Sequence, residues 1–262
     1  MVYHVARKCG SQTLQFESGK LAQQANGSVL IQYGECMILV AATMSDPREG
    51  IDFFPLSVGL EERFYAKGKI PGSFFRREGR PSTHGTLIAR LTDRPLRPLF
   101  PKDFRNEVQI IITPLSIDQE TPLEIPCLIG ASAALSISDI PFEGPIGATA
   151  VGYIDGEFII NPTYDQIENS ELNLIVAGSK DGVIMLEGDA SEMPESLVLQ
   201  AIEKAQAINL EVISLQEEMT KSIGKVKADF KTQPYPEELD KLVTEILDGS
   251  LISAFEASHG KA

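Results

Sequence analysis

Residues 70–82 place two aromatic rings beside a cluster of positive charge. The segment contains two adjacent phenylalanines and three arginines: Phe74, Phe75, Arg76, Arg77 and Arg80. Pro71 and Pro81 frame it, which indicates a loop. Aromatic rings within a cationic rim hold single-stranded nucleic acid without reading its sequence, because every base has a face to stack on and every nucleotide carries a phosphate. The alternative is that one of the two rings anchors the loop in the core.

Positive charge is concentrated in one part of an acidic chain. The 262 residues carry a formal net charge of −14, yet residues 63–105 hold 11 lysines and arginines against three acidic residues. Eight of the ten arginines lie in that window. The planar fork of arginine suits phosphate, and a local basic patch on an acidic body focuses a polyanion on that patch. The pattern favours a nucleic-acid partner over the alternative, which is a solvated charged surface.

The residues that follow the loop predict a helix that extends this basic surface. Residues 83–94 have an apolar stripe, and Pro95 is expected to stop the helix. Arg90 and Arg94 are four residues apart and therefore share one face, and Arg97 would continue the row. Four carboxylates could pair with these arginines instead: Glu61, Glu62, Asp93 and Asp103. The candidate RNA-binding residues are Phe74, Phe75, Arg76, Arg77, Arg80, Arg90, Arg94 and Arg97.

Composition and missing motifs exclude several classes of protein. The 43% hydrophobic and 23% charged content is typical of a globular chain, and no apolar run approaches the ~20 residues that span a bilayer. The sequence contains no phosphate-binding P-loop, dinucleotide fingerprint, serine nucleophile elbow or zinc-protease motif. Cys9, Cys36 and Cys127 form no C-x-x-C pair, so we expect packed thiols in a reducing, cytoplasmic setting.

Hydrophobic patterning predicts strands with two helices, then two hairpins, then a long helix. Gly34 with Glu35, and Asp155 with Gly156, are two-residue hairpin turns. A long helix is expected from Pro194, with an apolar stripe at spacings of three and four residues. The predicted strands are residues 13–16, 28–33, 36–43, 53–58, 107–117, 147–154, 157–161, 172–178 and 183–187, and the other helices are 123–138 and 236–247. This order predicts an α+β fold with two subdomains and a helical tail.

Six stretches of the chain closely resemble the polynucleotide phosphorylase family. They are residues 52–56, 70–82, 87–100, 130–135, 141–147 and 176–178. The resemblance covers residues 10–220 and points to the first of that family's two cores. It implies an RNase PH-like core of mixed sheets and helices, with subdomains at residues 1–141 and 142–224. A linker and the start of a helical domain would then occupy residues 225–262.

The resemblance also implies an activity for the whole protein. Members of this family shorten RNA from its 3′ end with inorganic phosphate as co-substrate, release nucleoside diphosphates, and can run the reaction backwards as polyribonucleotide nucleotidyltransferases. They use magnesium and act as homotrimers in mRNA catabolism. We therefore expect single-stranded RNA as the partner, with neither DNA nor a membrane.

Two departures from the family bear on this chain's own chemistry. In the family the phosphorolytic site belongs to the second core, where an acidic residue and a lysine precede the Val-Ala-Gly turn. Asn173 and Ile175 stand at those positions here. We therefore predict no catalytic residue and no metal ligand in this chain, and expect magnesium at a second core outside it. Gly85 stands where the family commonly has glutamate. Three acidic residues near the turn are interpreted as solvated hairpin charges: Asp165, Glu168 and Glu171.

Three hypotheses remain open from the sequence. The chain could be the N-terminal part of the phosphorolytic enzyme, supplying RNA-binding arginines and trimer contacts. It could be a module that binds RNA without catalysis. It could be mainly an assembly surface, in which the arginines hold the fold together.

Overall fold

Ten strands in two sheets, six α-helices and two short 3-10 helices, Phe64–Lys67 and Arg97–Leu99, are present in the described parts of the chain. The computed structural model describes residues 2–10, 12–72, 78–230 and 236–257. Internal contacts divide the chain into two units, residues 1–230 and residues 231–262. The first unit contains both sheets and helices α1 to α4, and the second contains helices α5 and α6. No helix in the described ranges is long and apolar enough to cross a membrane.

The first sheet has six strands in the order β1-β2-β3-β4-β6-β5. Its strands are β1 Tyr3–Cys9, β2 Gln12–Ser18, β3 Gly27–Tyr33, β4 Cys36–Ser45, β5 Leu56–Leu60 and β6 Glu107–Ser116. All neighbours are antiparallel except β5, which runs parallel to β6. The predicted β3–β4 hairpin is confirmed, with Tyr33 opposite Cys36 and Gly34 at a φ of 61°. Strand β1 was not predicted, and β5 starts at Leu56 rather than at residue 53.

Helix α2, Glu124–Ile137, lies against this sheet and is buried along nearly its whole length. Its alanine, serine and glycine content allows a close approach. A Cβ added at Gly130 would lie 2.8 Å from Val40 Cγ2, so only glycine fits at that point of the helix–sheet contact. The composition therefore correctly indicated a helix packed closely on a sheet.

Helix α1, Thr83–Leu96, packs on β5 and α2. Ser82 is its N-cap, since the Ser82 hydroxyl accepts the N–H of Gly85 at 3.0 Å. The prediction that Pro95 stops the helix was wrong. Proline here removes one hydrogen bond in the last turn, and the N–H of Arg97 still reaches the carbonyl of Asp93, so the helix closes after Pro95.

The second sheet has the order β10-β9-β7-β8, and all its neighbours are antiparallel. Its strands are β7 Gly147–Ile154, β8 Glu157–Ile160, β9 Leu172–Gly178 and β10 Val183–Ala190. The predicted β7–β8 turn is confirmed, because Asp155 and Gly156 both have positive φ, 51° and 84°. A short helix that the sequence did not reveal, α3 Tyr164–Glu168, follows β8 with a capping box at Thr163.

Helix α4, Glu195–Ile223, packs across β7 and β9 and ends at Gly224, as predicted. Two buried polar residues tie it to the second sheet. Asn209 accepts the hydroxyl of Thr149 at 2.8 Å and donates to the carbonyl of Val176 at 3.2 Å, and Gln216 donates to the carbonyl of Ile146 at 2.8 Å. In another register these buried N–H donors would lose their carbonyl partners, so the contacts favour the observed register of the helix on the sheet.

The first unit extends through residues 225–230. The Lys227 ammonium donates to three carbonyls at the end of α2, those of Leu135, Ser136 and Ser138, at 2.8–3.1 Å. Phe230 packs edge-on against Phe104 with ring centroids 5.3 Å apart. In the second unit, α5 spans Glu237–Leu247 and α6 spans Ser250–Ala257, and both expose apolar side chains.

The three cysteines are buried and free. Burial raises the pKa of the Cys9 and Cys36 thiols to about 11 and raises that of the Cys127 thiol well above its usual value. Thiols with such pKa values are almost wholly protonated at neutral pH and act as small apolar groups. This agrees with the interpretation of the cysteines as packing residues.

Candidate nucleic-acid interface

The aromatic-arginine segment, residues 70–82, belongs in part to the described residues. Four of its predicted RNA-binding residues, Phe74, Phe75, Arg76 and Arg77, lie outside the described residues. The segment is described up to Gly72 and again from Glu78, so its two ends can be located. Arg80, the fifth predicted residue of the segment, is exposed two residues before the N-cap of α1.

A pair of opposite charges fixes the second end of this segment. Glu78 accepts a hydrogen bond from Arg63 Nη1 at 3.0 Å and another from the backbone N–H of Phe64 at 2.8 Å. Arg63 also reaches Glu61 with Nη2 at 3.2 Å. The N–H of Phe64 and the Arg63 guanidinium together lower the pKa of Glu78, and the Glu78 carboxylate raises the pKa of Arg63. Both groups are therefore charged at neutral pH.

A second carboxylate, Glu62, holds the start of α1. Its Oε2 accepts the backbone N–H of Ser82 at 2.7 Å. A Cβ at residue 85 would lie 2.9 Å from the same Oε2, so glycine at position 85 leaves the space that Glu62 occupies. The Glu62 carboxylate, two residues after the end of β5, thus lies beside Gly85 and bonds to backbone rather than to arginine.

These contacts decide which charges remain available. The three carboxylates nearest the segment, Glu61, Glu62 and Glu78, all bond to Arg63 or to backbone N–H groups. Within the described part of the chain, Arg80 has neither an ion pair nor a side-chain hydrogen bond. Among the described residues, neither Glu61 nor Glu62 contacts a predicted RNA-binding arginine, so the alternative in which they pair with these arginines is not supported.

The three arginines after the loop differ from one another. Arg90 is exposed and has no ion pair among the described residues. Arg94 forms an ion pair with Glu187 of β10. Arg97 meets both oxygens of Asp93, at 2.7 and 3.1 Å. The alternative of pairing with Asp93 thus describes Arg97, whereas the partner of Arg94 is a residue that sequence reasoning missed.

Arg97 also joins α1 to the chain before β5. It donates to the carbonyls of Phe54 and Leu56 at 3.2 and 3.1 Å, and its guanidinium lies 5.8 Å from the centroid of the Phe54 ring. Phe54 in turn packs on Phe100 and Phe104. Its contacts with Asp93, Phe54 and Leu56 make Arg97 a structural residue that links the end of α1 to residues 54–56.

A cleft of about 660 Å³ separates α1 from the second sheet. It is lined by His84, Leu87, Ile88, Arg90, Leu91, Arg94, Glu124, Asn173, Ile175, Glu187, Gly188 and Asp189. Asn173 and Ile175 occupy the wall where the family resemblance places an acidic residue and a lysine. Glu187 and Asp189, on β10, were not predicted as cleft residues, since nothing in their local sequence connects them to α1.

The residues of this cleft do not fit a magnesium site. Glu187 is paired with Arg94, and the described residues contain no group of three or more histidines, cysteines or carboxylates placed to hold a metal ion. The acidic residues near the Val-Ala-Gly turn, Asp165, Glu168 and Glu171, are exposed. The first two lie on helix α3 and not in a hairpin. No step of a reaction can be assigned to a metal at this place.

Comparison with known families identifies the fold. Residues 10–141 match domain 1 of the 3′ exoribonuclease family, and residues 144–208 match domain 2 of that family. The chain belongs to the 3′ exoribonuclease family. The solved structure of Rrp46 from rice (Oryza sativa) shows the same RNase PH-like fold, with a TM-score of 0.65 over 82% of this chain and 96% of that one at 15% identity.

Within the 3′ exoribonuclease family, the chain is similar to polyribonucleotide nucleotidyltransferases. It is 51% identical to that of Heliobacterium modesticaldum over 93% of this chain and 35% of that protein. It is 52% identical to that of Halothermothrix orenii over 92% and 34%, and 49% identical to that of Bacillus subtilis over 95% and 36%. The chain thus spans about a third of the length of these relatives. The resemblance inferred from its motifs and the predicted fold class are confirmed.

Proposed function

We propose that this chain is the RNA-binding first core of a phosphate-dependent 3′-to-5′ exoribonuclease that degrades RNA to nucleoside diphosphates and can polymerise them in reverse. The family membership supports the exoribonuclease class, and the names of its relatives support the nucleotidyltransferase activity. The chain spans about a third of those relatives, so the activity is proposed for the longer protein. In it, this core supplies RNA contacts and part of a homotrimer surface.

One observation carries the RNA-binding part of the proposal. The carboxylates around the aromatic-arginine segment bond to Arg63 and to backbone, while Arg80 has no partner among the described residues. Charges that are not paired internally can release counterions when they meet a phosphate backbone. The proposed RNA-binding set keeps Phe74, Phe75, Arg76, Arg77, Arg80 and Arg90, whereas Arg94 and Arg97 are left out because each already has a carboxylate partner. Arg80 and Arg90 are the members of this set that the described contacts leave most available.

The chemistry is assigned to a second core outside this chain. Asn173 can neither neutralise a metal ion nor accept a proton as a carboxylate does, and Ile175 offers no amine to a leaving oxygen. Arg94, at the same cleft, already has a carboxylate partner. Magnesium and inorganic phosphate would act at the second core, and the single-stranded RNA would reach it past this one. A cytoplasmic location is part of the same proposal.

The assignment of chemistry is tested by an assay on this chain alone. With poly(A), inorganic phosphate and magnesium, the purified chain should release no nucleoside diphosphate above a no-protein control. A relative that carries both cores serves as the positive control in the same buffer. Phosphate-dependent release of diphosphate by this chain would overturn the assignment of the chemistry to a second core.

A second candidate is favoured by the same cleft: the chain alone is an RNA-binding module without catalysis. The Arg94–Glu187 ion pair and the apolar Ile175 leave this wall of the cleft without a free carboxylate at Glu187 and without an amine at position 175. Salt-dependent RNA binding by the isolated chain, without turnover, is expected from both candidates. Only the presence of a second core in the longer protein separates them.

A further inference from the structure

A cavity of about 330 Å³ opens beside the second end of the aromatic-arginine segment. It lies between the end of β5, the short 3-10 helix Phe64–Lys67 and residues 78–82. Its lining residues are Leu60, Glu61, Glu62, Arg63, Phe64, Lys67, Glu78, Gly79, Arg80, Pro81 and Ser82. The cavity is large enough for a single nucleotide, although it is open on one side.

Hydrogen bonds fix the walls of this cavity. The carbonyl of Ala66, in the middle of the 3-10 helix, accepts the N–H of Ile117 at 2.9 Å, and the side of Ala66 is buried. Gly68 ends the helix at a φ of 65°, which places its N–H on the carbonyl of Tyr65 at 3.0 Å. The opposite wall is held by the contacts of Glu78 with Arg63 and Phe64. The site is therefore formed by the folded chain itself.

The charged residues around the cavity fall into two groups: Arg63 and the carboxylates, which have hydrogen-bond partners, and two cations that have none among the described residues. Glu61, Glu62 and Glu78 are turned toward Arg63 and toward backbone N–H groups. Lys67 and Arg80 are exposed and have no side-chain partner in the described part of the chain. Both line the cavity, and they are its two cations without a carboxylate partner among the described residues. Leu60, which is 2% exposed, and Pro81 add apolar surface to the same cavity.

We infer that this cavity is a nucleotide subsite for single-stranded RNA. The phosphate binds Lys67 and Arg80, and the base lies against the apolar surface of Phe64 and Pro81. This inference rests on the proposed RNA-binding function, which it deepens by adding Lys67, a residue outside the predicted set. Ammonium and guanidinium groups are the usual phosphate ligands, and an adjacent apolar face accepts any base.

The inference assigns Arg63 and Glu78 a positioning role. If these two charges acted on RNA only through their long-range field, Arg63→Met would weaken binding and Glu78→Gln would strengthen it, because the first removes a positive and the second a negative charge. If the pair holds the wall of the cavity, both changes weaken binding. The sign of the Glu78→Gln effect therefore separates the two explanations.

The test compares Lys67→Gln with Lys69→Gln in the 262-residue chain. Lys69 is a matched control because it is also exposed and only two residues away, yet it does not line the cavity. With a short single-stranded oligoadenylate as probe, Lys67→Gln should lower affinity about fivefold, and Lys69→Gln should lower it less than about twofold. The slope of log K against log salt should become shallower for Lys67→Gln, by at most about 0.7 because Arg80 still contacts the same phosphate, and should stay near wild type for Lys69→Gln. Arg80→Ala combined with Lys67→Gln should lose less than the two losses added together, since both cations hold one phosphate.

The outcomes separate this inference from the function on which it rests. The subsite is overturned if Lys67→Gln and Lys69→Gln show equal small losses of affinity, or if Glu78→Gln binds RNA more tightly. In either case, loss of binding on replacing Arg76, Arg77 and Arg80 would leave the proposed function standing. If none of these variants changes RNA binding, both are overturned. Denaturant unfolding of each variant shows that the fold is kept. If Lys67→Gln unfolds at a lower denaturant concentration, Lys67→Arg is measured as well. This variant keeps the positive charge and should bind RNA like the wild-type chain.

Discussion

Two basic regions of the first unit differ in what their carboxylates do. At the cavity beside residues 78–82, the acids bond to Arg63 and to backbone N–H groups, and Lys67 and Arg80 are left without partners among the described residues. Around helix α1, Arg94 and Arg97 each have a carboxylate of their own. Arginine count alone does not distinguish these regions. The direction in which the nearby acids point decides whether a cation is free for a ligand or serves the fold.

The comparison also explains why one window of the sequence carries two roles. Arg97 lies only 17 positions after Arg80 in the sequence, yet it has four polar contacts, on Asp93 and on two carbonyls. A structural arginine of this kind exchanges its hydrogen bonds to water for hydrogen bonds to the protein. A binding group must keep its donors unsatisfied until the ligand arrives, which is possible only where it remains solvated.

The largest effect is expected on the free energy of unfolding when the structural residue Arg97 is replaced. Arg97→Ala removes the donors to the carbonyls of Phe54 and Leu56 and the partner of Asp93. We expect a loss of about 1–3 kcal/mol in the free energy of unfolding, with the salt slope of RNA binding unchanged. Arg80→Ala is the matched comparison, and it should do the reverse: a shallower slope with stability within about 0.5 kcal/mol of wild type. Denaturant titration and RNA titration of both variants check this, and a flattened slope in Arg97→Ala would place Arg97 among the RNA ligands.

A smaller effect is expected on releasing a paired arginine. Glu187→Gln removes the partner of Arg94, and the pair is about half exposed on both sides, so stability should change by no more than about 1 kcal/mol. Arg94 then becomes available, and the slope of RNA binding should steepen by up to about 0.7. Glu157→Gln serves as a control, because it removes one acidic charge from an exposed residue outside the cleft. Equal changes in the two variants would mean that only net charge was altered.

Local patterns predicted much of the fold. The apolar stripe of α4, the Gly34 and Asp155 hairpins and the composition of α2 all lead to the observed elements, because each pattern is confined to one stretch of chain. Strand β1 was missed because it lies at the edge of the sheet and buries only its last residue, so its sequence shows only a weak apolar alternation. The parallel pairing of β5 with β6 joins segments about fifty residues apart, and no turn between them sets its register.

The candidate site was predictable in part for the same reason. The basic window and its arginines are visible in the sequence, as is the absence of a carboxylate and an amine at Asn173 and Ile175. The partner of Arg94 is not visible in the sequence, because Glu187 is 93 residues away and lies on β10 of the second sheet. Lys67 was counted in the basic window but not selected, since its place at a cavity depends on the turn that Gly68 closes. Long-range contacts of this kind follow only from the packed structure.

The most direct test of the account is the salt dependence of RNA binding when the central arginines are removed. If about three phosphates are neutralised, log K of the wild-type chain falls with log salt at a slope of about −2, and replacing Arg76, Arg77 and Arg80 together with alanine should flatten that slope. The control replaces Lys8, Lys20 and Lys241, three exposed lysines outside the basic window, and removes the same charge. The account predicts a flattened slope in the arginine variant and a slope near wild type in the lysine variant. Equal slopes in the wild-type chain and the arginine variant, with the fold intact by circular dichroism, would contradict it.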